Sequence, residues 1–346
     1  MSGGVLAIRP RALGDVVLVT PALRALARGF PGSGVEVVTE RRYAPLLEGL
    51  EGVSRVWVLD RTWRATAALI AALRRRSFER VVDFFGNPRT AAIAALCGAR
   101  VTAGYELRGR RRAYSLRVPR ELTLAAGRRE HASATHMRLA VAAGGAADGL
   151  ETQVAVSPAA RATAARLLAE AGVPEPGRAV GLVAAGTWPT KTWPLSHAAV
   201  LARRLLGARH AVVAILGPGE ERVGTDLETL APGVAALPPC DVAVLAAVIE
   251  RLFAVVGTDS GPRHLAAALG VPTFAWFGPT HPDTWNPPGE RHGYVRTDLP
   301  CRACDRTRCP HWNCMPGLDP ERVSLEVIDH LARHGQAAGL GTAARA

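Results

Sequence analysis

FAVVGTDSGPRHLAAALGVPTFAWFG, residues 253–278, is the stretch that decides the fold. FAVVGTD (253–259) is a short apolar run, which reads as a strand. SGPRHLAAALG (260–270) starts with a capping-type Ser, carries Pro in its first turn and closes on Gly, which reads as a helix with its start and stop. VPTFAWFG (271–278) is a second apolar run ending in a Gly turn. Strand, helix and strand in succession make a crossover unit, and repeated units of this kind make a parallel sheet.

The alternation continues outward from this stretch. Upstream in the second half, SPAARATAARLLAEAG (157–172) reads as a helix opened by Ser157, followed by the strand AVGLVAAG (179–186). The helix at 196–208, the strand HAVVAILG (210–217) and the helix at 241–252 come next, and PERVSLEVIDHLARHG (320–335) is the last helix. The first half repeats the plan. Strands are expected at 5–10, 35–40, 53–60, 80–86 and 101–105, with helices at 21–30, 64–78 and 89–99 between them and RALGDVV (11–17) as a loop. The expected fold is therefore α/β, with two doubly wound Rossmann-like domains at 1–155 and 156–335 and a loose tail at 336–346.

A chain of 346 residues, 48% of them apolar, is long enough for two such cores. It has no apolar run of the roughly 20 residues that a membrane helix needs. MSGGVLAIRP at the start reads as a strand rather than an export signal, so a cytoplasmic location is expected. The net charge of +12 is lopsided: residues 1–150 hold 24 Arg against 12 acids, whereas residues 151–346 hold 18 basic residues against 18 acids. The first half thus either meets an anionic partner or presents a solvated Arg-rich surface. Of the 42 basic residues 41 are Arg, and the one Lys is Lys191. A compact ammonium and a planar guanidinium are not equivalent in a tight site, so Lys191 is expected where Arg does not serve.

Four motifs fall at strand ends. ALGDVVLVTPAL (12–23) places Asp15 beyond the first strand, where a carboxylate either takes a proton from a sugar hydroxyl or caps the helix. The dinucleotide pattern G-x-G-x-x-G is absent there, which counts against a simple dehydrogenase. GTWPTKTWP (186–194) brings Lys191 with Thr187 and Thr190, a set suited to phosphate oxygens. GPGEE (217–221) presents Glu220 or Glu221, either as a ribose acceptor or as a solvated turn acid. GTDSGPRHLAAALG (257–270) is the strongest signal. A helix N-terminus after Asp259 and Ser260, with Gly261 for close approach and His264 one turn in, either makes an anion site or is a plain helix start capped by Asp259 or Ser260. Separately, CRACDRTRCPHWNC (301–314) groups Cys301, Cys304, Cys309 and Cys314. Four thiolates so close hold a zinc ion, stay as free thiols or, less favoured, hold an iron–sulfur cluster; four ligands leave no open position, so any zinc is structural.

Taken together, IRPRALGDVVLVTPALRAL, WPTKTWP, the long string VVGTDSGPRHLAAALGVPTFAWFGPTHPDTWNP and CMPGLDPERV resemble glycosyltransferase family 9, the ADP-heptose:lipopolysaccharide heptosyltransferases, along most of the chain. The resemblance implies a GT-B fold with two domains facing across a cleft. The acceptor would bind the N-terminal domain and an ADP-sugar the C-terminal one. It also implies inverting transfer with no metal or other cofactor in catalysis. On this reading Asp15 is the base and Lys191 the diphosphate partner. Asp259, Ser260, Gly261 and His264 form the donor cluster with Thr187, and Glu220 serves the ribose. The acceptor is a lipopolysaccharide core or another anionic glycolipid or glycan at the inner membrane face. The alternatives are a nucleotide-sugar epimerase of similar plan and a nucleic-acid-binding protein. The second is disfavoured by an aromatic content of only 5%, so no nucleic-acid partner is expected.

Overall fold

The computed structural model describes residues 3–335 apart from 123, 174 and 302, so the expected tail at 336–346 lies outside the described residues. The chain divides into two compact units, Met1–Ala155 and Val156–Ala346.

In the first unit the elements run β1 (Val5–Ile8), α1 (Leu13–Leu18), α2 (Thr20–Gly29), β2 (Val35–Thr39), β3 (Val53–Val58), α3 (Trp63–Arg74), β4 (Arg80–Asp83), α4 (Pro88–Leu96), β5 (Val101–Tyr105), β6 (Leu116–Val118) and α5 (Ala132–Ala142). All neighbouring strands are parallel, in the order β3-β2-β1-β4-β5-β6. β1 and β2 are buried along their whole length; β1 is an unbroken apolar run, whereas β2 carries the buried Glu36, whose carboxylate accepts from Trp57 and Arg76. The edge strand β3 is half exposed.

In the second unit the order is α6 (Pro158–Glu170), β7 (Ala179–Val183), α7 (Leu195–Gly207), β8 (Ala211–Ala214), α8 (Glu221–Leu230), β9 (Val234–Ala236), α9 (Val242–Glu250), β10 (Ala254–Thr258), α10 (Gly261–Ala268), β11 (Thr273–Phe277), α11 (Pro282–Trp285), β12 (His292–Arg296) and α12 (Pro320–His334). Its sheet is again wholly parallel, in the order β12-β11-β10-β7-β8-β9. Each unit therefore has the doubly wound plan expected from the sequence. One side of this sheet packs on Trp193 and Trp276, fully buried with ring centroids 4.6 Å apart, together with Leu182, Leu205 and Val327. Gly257 of β10 is opposite Val183 of β7. A Cβ there would lie 2.6 Å from both the Val183 Cβ and its carbonyl oxygen, so only glycine fits.

Several elements differ from the sequence reading. Residues expected as a loop form α1, with Gly14 inside the helix and outside the left-handed region. Val16, Val17 and Leu18 are buried by this turn, and their burial favours helix over loop. β6, α5, α8, β9, α11 and β12 were not read from the sequence. β6 and β9 have three residues each, too few to show a period. The Ser157 cap was read: its side chain accepts the Ala160 N–H.

Candidate active site

In an open α/β sheet the ligand crevice lies beyond the C-terminal strand ends where the strand order reverses. In the second unit that point falls between β7 and β10. Lys191 reaches it from the 3-10 turn Pro189–Lys191 that follows β7. Its Nζ is 2.8 Å from Asp259 Oδ2 and 3.3 Å from the Asp259 carbonyl oxygen. It also stands 4.6 Å from the Trp188 ring centroid, a cation–π contact. Thr258 donates its hydroxyl to the Lys191 carbonyl at 2.5 Å, which fastens the loop to the end of β10. Asp259, with 2% of its side chain exposed, also accepts the Thr280 hydroxyl at 2.8 Å, and His264 Nε2 is 3.8 Å from its Oδ1. Burial alone would push the Asp259 carboxyl up. Lys191, with His264 and Arg263, outweighs it and holds the group below its ordinary value.

α10 starts beside this ion pair. Its N-cap Ser260 makes no side-chain cap and instead donates its hydroxyl to the Thr258 carbonyl at 3.1 Å. The first turn thus keeps backbone donors and the positive end of the helix dipole for another acceptor. The structure brings Lys191, Asp259 and His264 together, with Ser260 and Gly261 at the same junction. The other expected residues are placed differently. Thr187 is exposed on the β7 loop, and Thr190 is buried, its hydroxyl spent on the Arg306 carbonyl at 2.7 Å. Glu220 precedes α8 and accepts the Gly217 N–H at 2.7 Å, so it braces its own turn, while Glu221 takes the Gly219 N–H at 3.4 Å.

The reversal point of the first unit lies between β1 and β4. Asp15 is there, in the first turn of α1 rather than on a loop. The N-cap is Ala12 and no side chain caps the helix, so Asp15 is not its cap. Its partner is Arg9, at 2.5 Å, from the residue directly after β1. Asp83 closes β4: buried, it accepts the Phe85 and Gly86 N–H groups at 2.9 and 3.0 Å and the Tyr114 hydroxyl at 2.6 Å. Burial raises its carboxyl above the ordinary value against those three bonds. The turn it braces has Gly86 at a φ of 74°.

Arg9, Asp83 and Thr280 stand at these candidate junctions and were missed by the sequence reading. A charge ending the apolar run VLAI was the available signal for Arg9, and an acid ending RVV the one for Asp83.

The four cysteines of the 301–314 stretch lie at the surface or half-buried. Among the described residues no group of three or more His, Cys, Asp or Glu side chains stands close enough to share a metal ion. Cys301 and Cys304 are exposed, while Cys309 and Cys314 are half-buried. Cys309 Sγ accepts the Trp312 N–H at 3.4 Å, and that bond with one from the His311 backbone lowers its thiol. Burial raises Cys314, whose Sγ lies under Gly278.

Comparison with known proteins identifies the family and the fold. The family model described as glycosyltransferase family 9 (heptosyltransferase) matches residues 66–314. Lipopolysaccharide heptosyltransferase 1 of Pseudomonas aeruginosa is 27% identical over 354 residues, spanning 93% of this chain and 96% of its own length. The fold is that of a family 9 glycosyl transferase from Veillonella parvula, with a TM-score of 0.81 at 19% identity, covering 96% of this chain and 97% of that one. An E. coli heptosyltransferase solved with ADP gives 0.72 at 24% identity, covering 94% and 99%. With most of its length under the family model and a charged junction at each sheet reversal, the chain belongs to glycosyltransferase family 9 and is a glycosyltransferase.

Proposed function

We propose that the protein transfers a heptose from ADP-heptose to a lipopolysaccharide-type acceptor with inversion at the anomeric carbon. The observation that carries this reading is the sole lysine of the chain, paired with Asp259 beside the N-terminus of α10. The names of the relatives supply the sugar and the acceptor class. On this reading Asp15 takes the proton of the acceptor hydroxyl as its oxygen bonds to the anomeric carbon and the bond from that carbon to the diphosphate breaks. The charge left on ADP is met by the Lys191 ammonium and the first turn of α10. Asp259 acts by holding Lys191, with His264 beside it. Thr187 is an exposed hydroxyl on the same loop for the donor. Glu220 serves the ribose only by yielding its bond to Gly217. The basic first 150 residues suit a phosphorylated or carboxylated glycolipid, which supports action in the cytoplasm at the inner membrane face. Among the described residues no helix is long and apolar enough to cross a membrane.

The test is a thermal-shift series with ADP-heptose and with UDP- and GDP-sugars, followed by ADP release with a lipopolysaccharide core acceptor. A ligand that binds only the folded form raises the melting point. ADP-heptose should raise it, and ADP should be released only when acceptor is present. A shift with UDP-sugars alone, or a new sugar isomer formed without acceptor, would overturn the proposal.

A further inference from the structure

We propose that Arg9 is a positioning residue for Asp15, splitting its guanidinium between the two strand ends of the first unit's reversal point so that one carboxylate oxygen is presented to the acceptor. This rests on the reading of Asp15 as the base. Arg9 is 2% exposed, whereas Asp15 is 29% exposed, so the cation is interior and the carboxylate reaches solvent. Arg9 Nη1 donates to the Phe84 carbonyl just beyond β4, at 2.6 Å. Nη2 stands 2.5 Å from Asp15 Oδ1. The guanidinium also lies against the Phe85 ring, 5.3 Å from its centroid, which limits its rotation. Nε is buried with no hydrogen-bond partner, so the two Nη atoms carry all the guanidinium's hydrogen bonds.

Among the described residues, Asp15 is the acid in an ion pair with Arg9, while Asp83 is engaged by the Tyr114 hydroxyl and two backbone N–H groups. The Phe84 ring packs edge-on against His136 at 5.7 Å, and His136 Nδ1 is 2.6 Å from the Tyr105 hydroxyl. Burial, with Arg9 next in weight, holds His136 well below its ordinary value, so this pair is neutral near pH 7. The carboxylate of Asp15 is the acid paired with this interior cation. A buried cation of this kind is costly without its partner. The pairing commits Oδ1 and, on this proposal, leaves Oδ2 for an incoming hydroxyl. A carboxylate on a one-turn-and-a-half helix, without this bond, has two or more side-chain orientations to search, and misplacement by about 1 Å costs on the order of 100-fold in rate.

The test compares Arg9→Met and Arg9→Lys with the wild-type protein, using ADP-heptose and whichever lipopolysaccharide core acceptor the wild type turns over. Arg9→Met keeps bulk and length but loses both donors. Its kcat should fall about 100-fold while its ADP-heptose Kd stays within about threefold. Arg9→Lys, which keeps a single cationic donor, should recover at least about tenfold of that loss. Should Arg9→Met fold poorly, Arg9→Ala with millimolar guanidinium ion added serves instead, and the added ion should restore turnover. Wild-type kcat in Arg9→Met would overturn the proposal. So would equal losses in kcat, donor affinity and melting temperature in both variants with no rescue, since these mark a purely structural role. Failure of the transferase reading itself shows separately, as a wild-type protein that releases no ADP with any acceptor.

Discussion

Lys191 was legible in the sequence because the chain uses arginine for every other basic side chain, so one exception carried information. Arg9 was hidden for the same reason: one more arginine among 41 has no signal of its own. Thr280 was hidden by distance along the chain, since its bond to Asp259 spans 21 positions. Glu220 shows the limit of reading a residue type at a strand end, because local backbone donors claimed the carboxylate. The ammonium of Lys191 sits between a carboxylate and an indole face, a space with room for a point charge. Lys191→Arg keeps the charge and changes the shape. It should weaken ADP-heptose binding about tenfold or more, or about 1.4 kcal/mol by titration calorimetry. Unchanged affinity would mean that the position asks only for positive charge.

Elements were read well where burial made them uniform. β1, β2, β7, β10 and β11 are buried end to end, and each was expected as a strand. The three-residue strands β6 and β9 escaped, as did α1, whose six residues depend on packing rather than propensity. The doubly wound plan survived these omissions, since every missed strand adds at an edge: β6, β9 and β12 are all terminal in their sheets. The inner contact of β7 with β10 has no slack. Gly257→Val would set its side chain against Val183, where even a Cβ comes to 2.6 Å. Overpacking of this kind costs about 1–3 kcal/mol. The melting temperature should fall, and donor affinity with it, because β10 ends one residue before Asp259. A variant that melts with the wild type would show that the two strands part without cost.

For the molecule as a whole, charge asymmetry and buried imidazoles set the response to solution conditions. His136 in the first unit and His292 in the second are held below the ordinary 6.5 chiefly by burial, His292 down to about 3. The unfolded chain takes up these protons first. The stability due to the neutral rings is therefore complete above pH 6.5 and is lost as pH falls toward the folded-state values. The slope is about 1.4 kcal/mol per pH unit for each ring. Melting temperatures should decline from pH 7 to pH 5, and His136→Gln should flatten part of that decline; a midpoint constant across this range would contradict the assignment. The pairing of Lys191 with Asp259 has another consequence. The chain has one side-chain primary amine, and it sits in an ion pair at a sheet reversal. An acylating reagent selective for such amines finds a single side-chain address in this protein, so the extent of its covalent labelling reads out the occupancy of that one crevice.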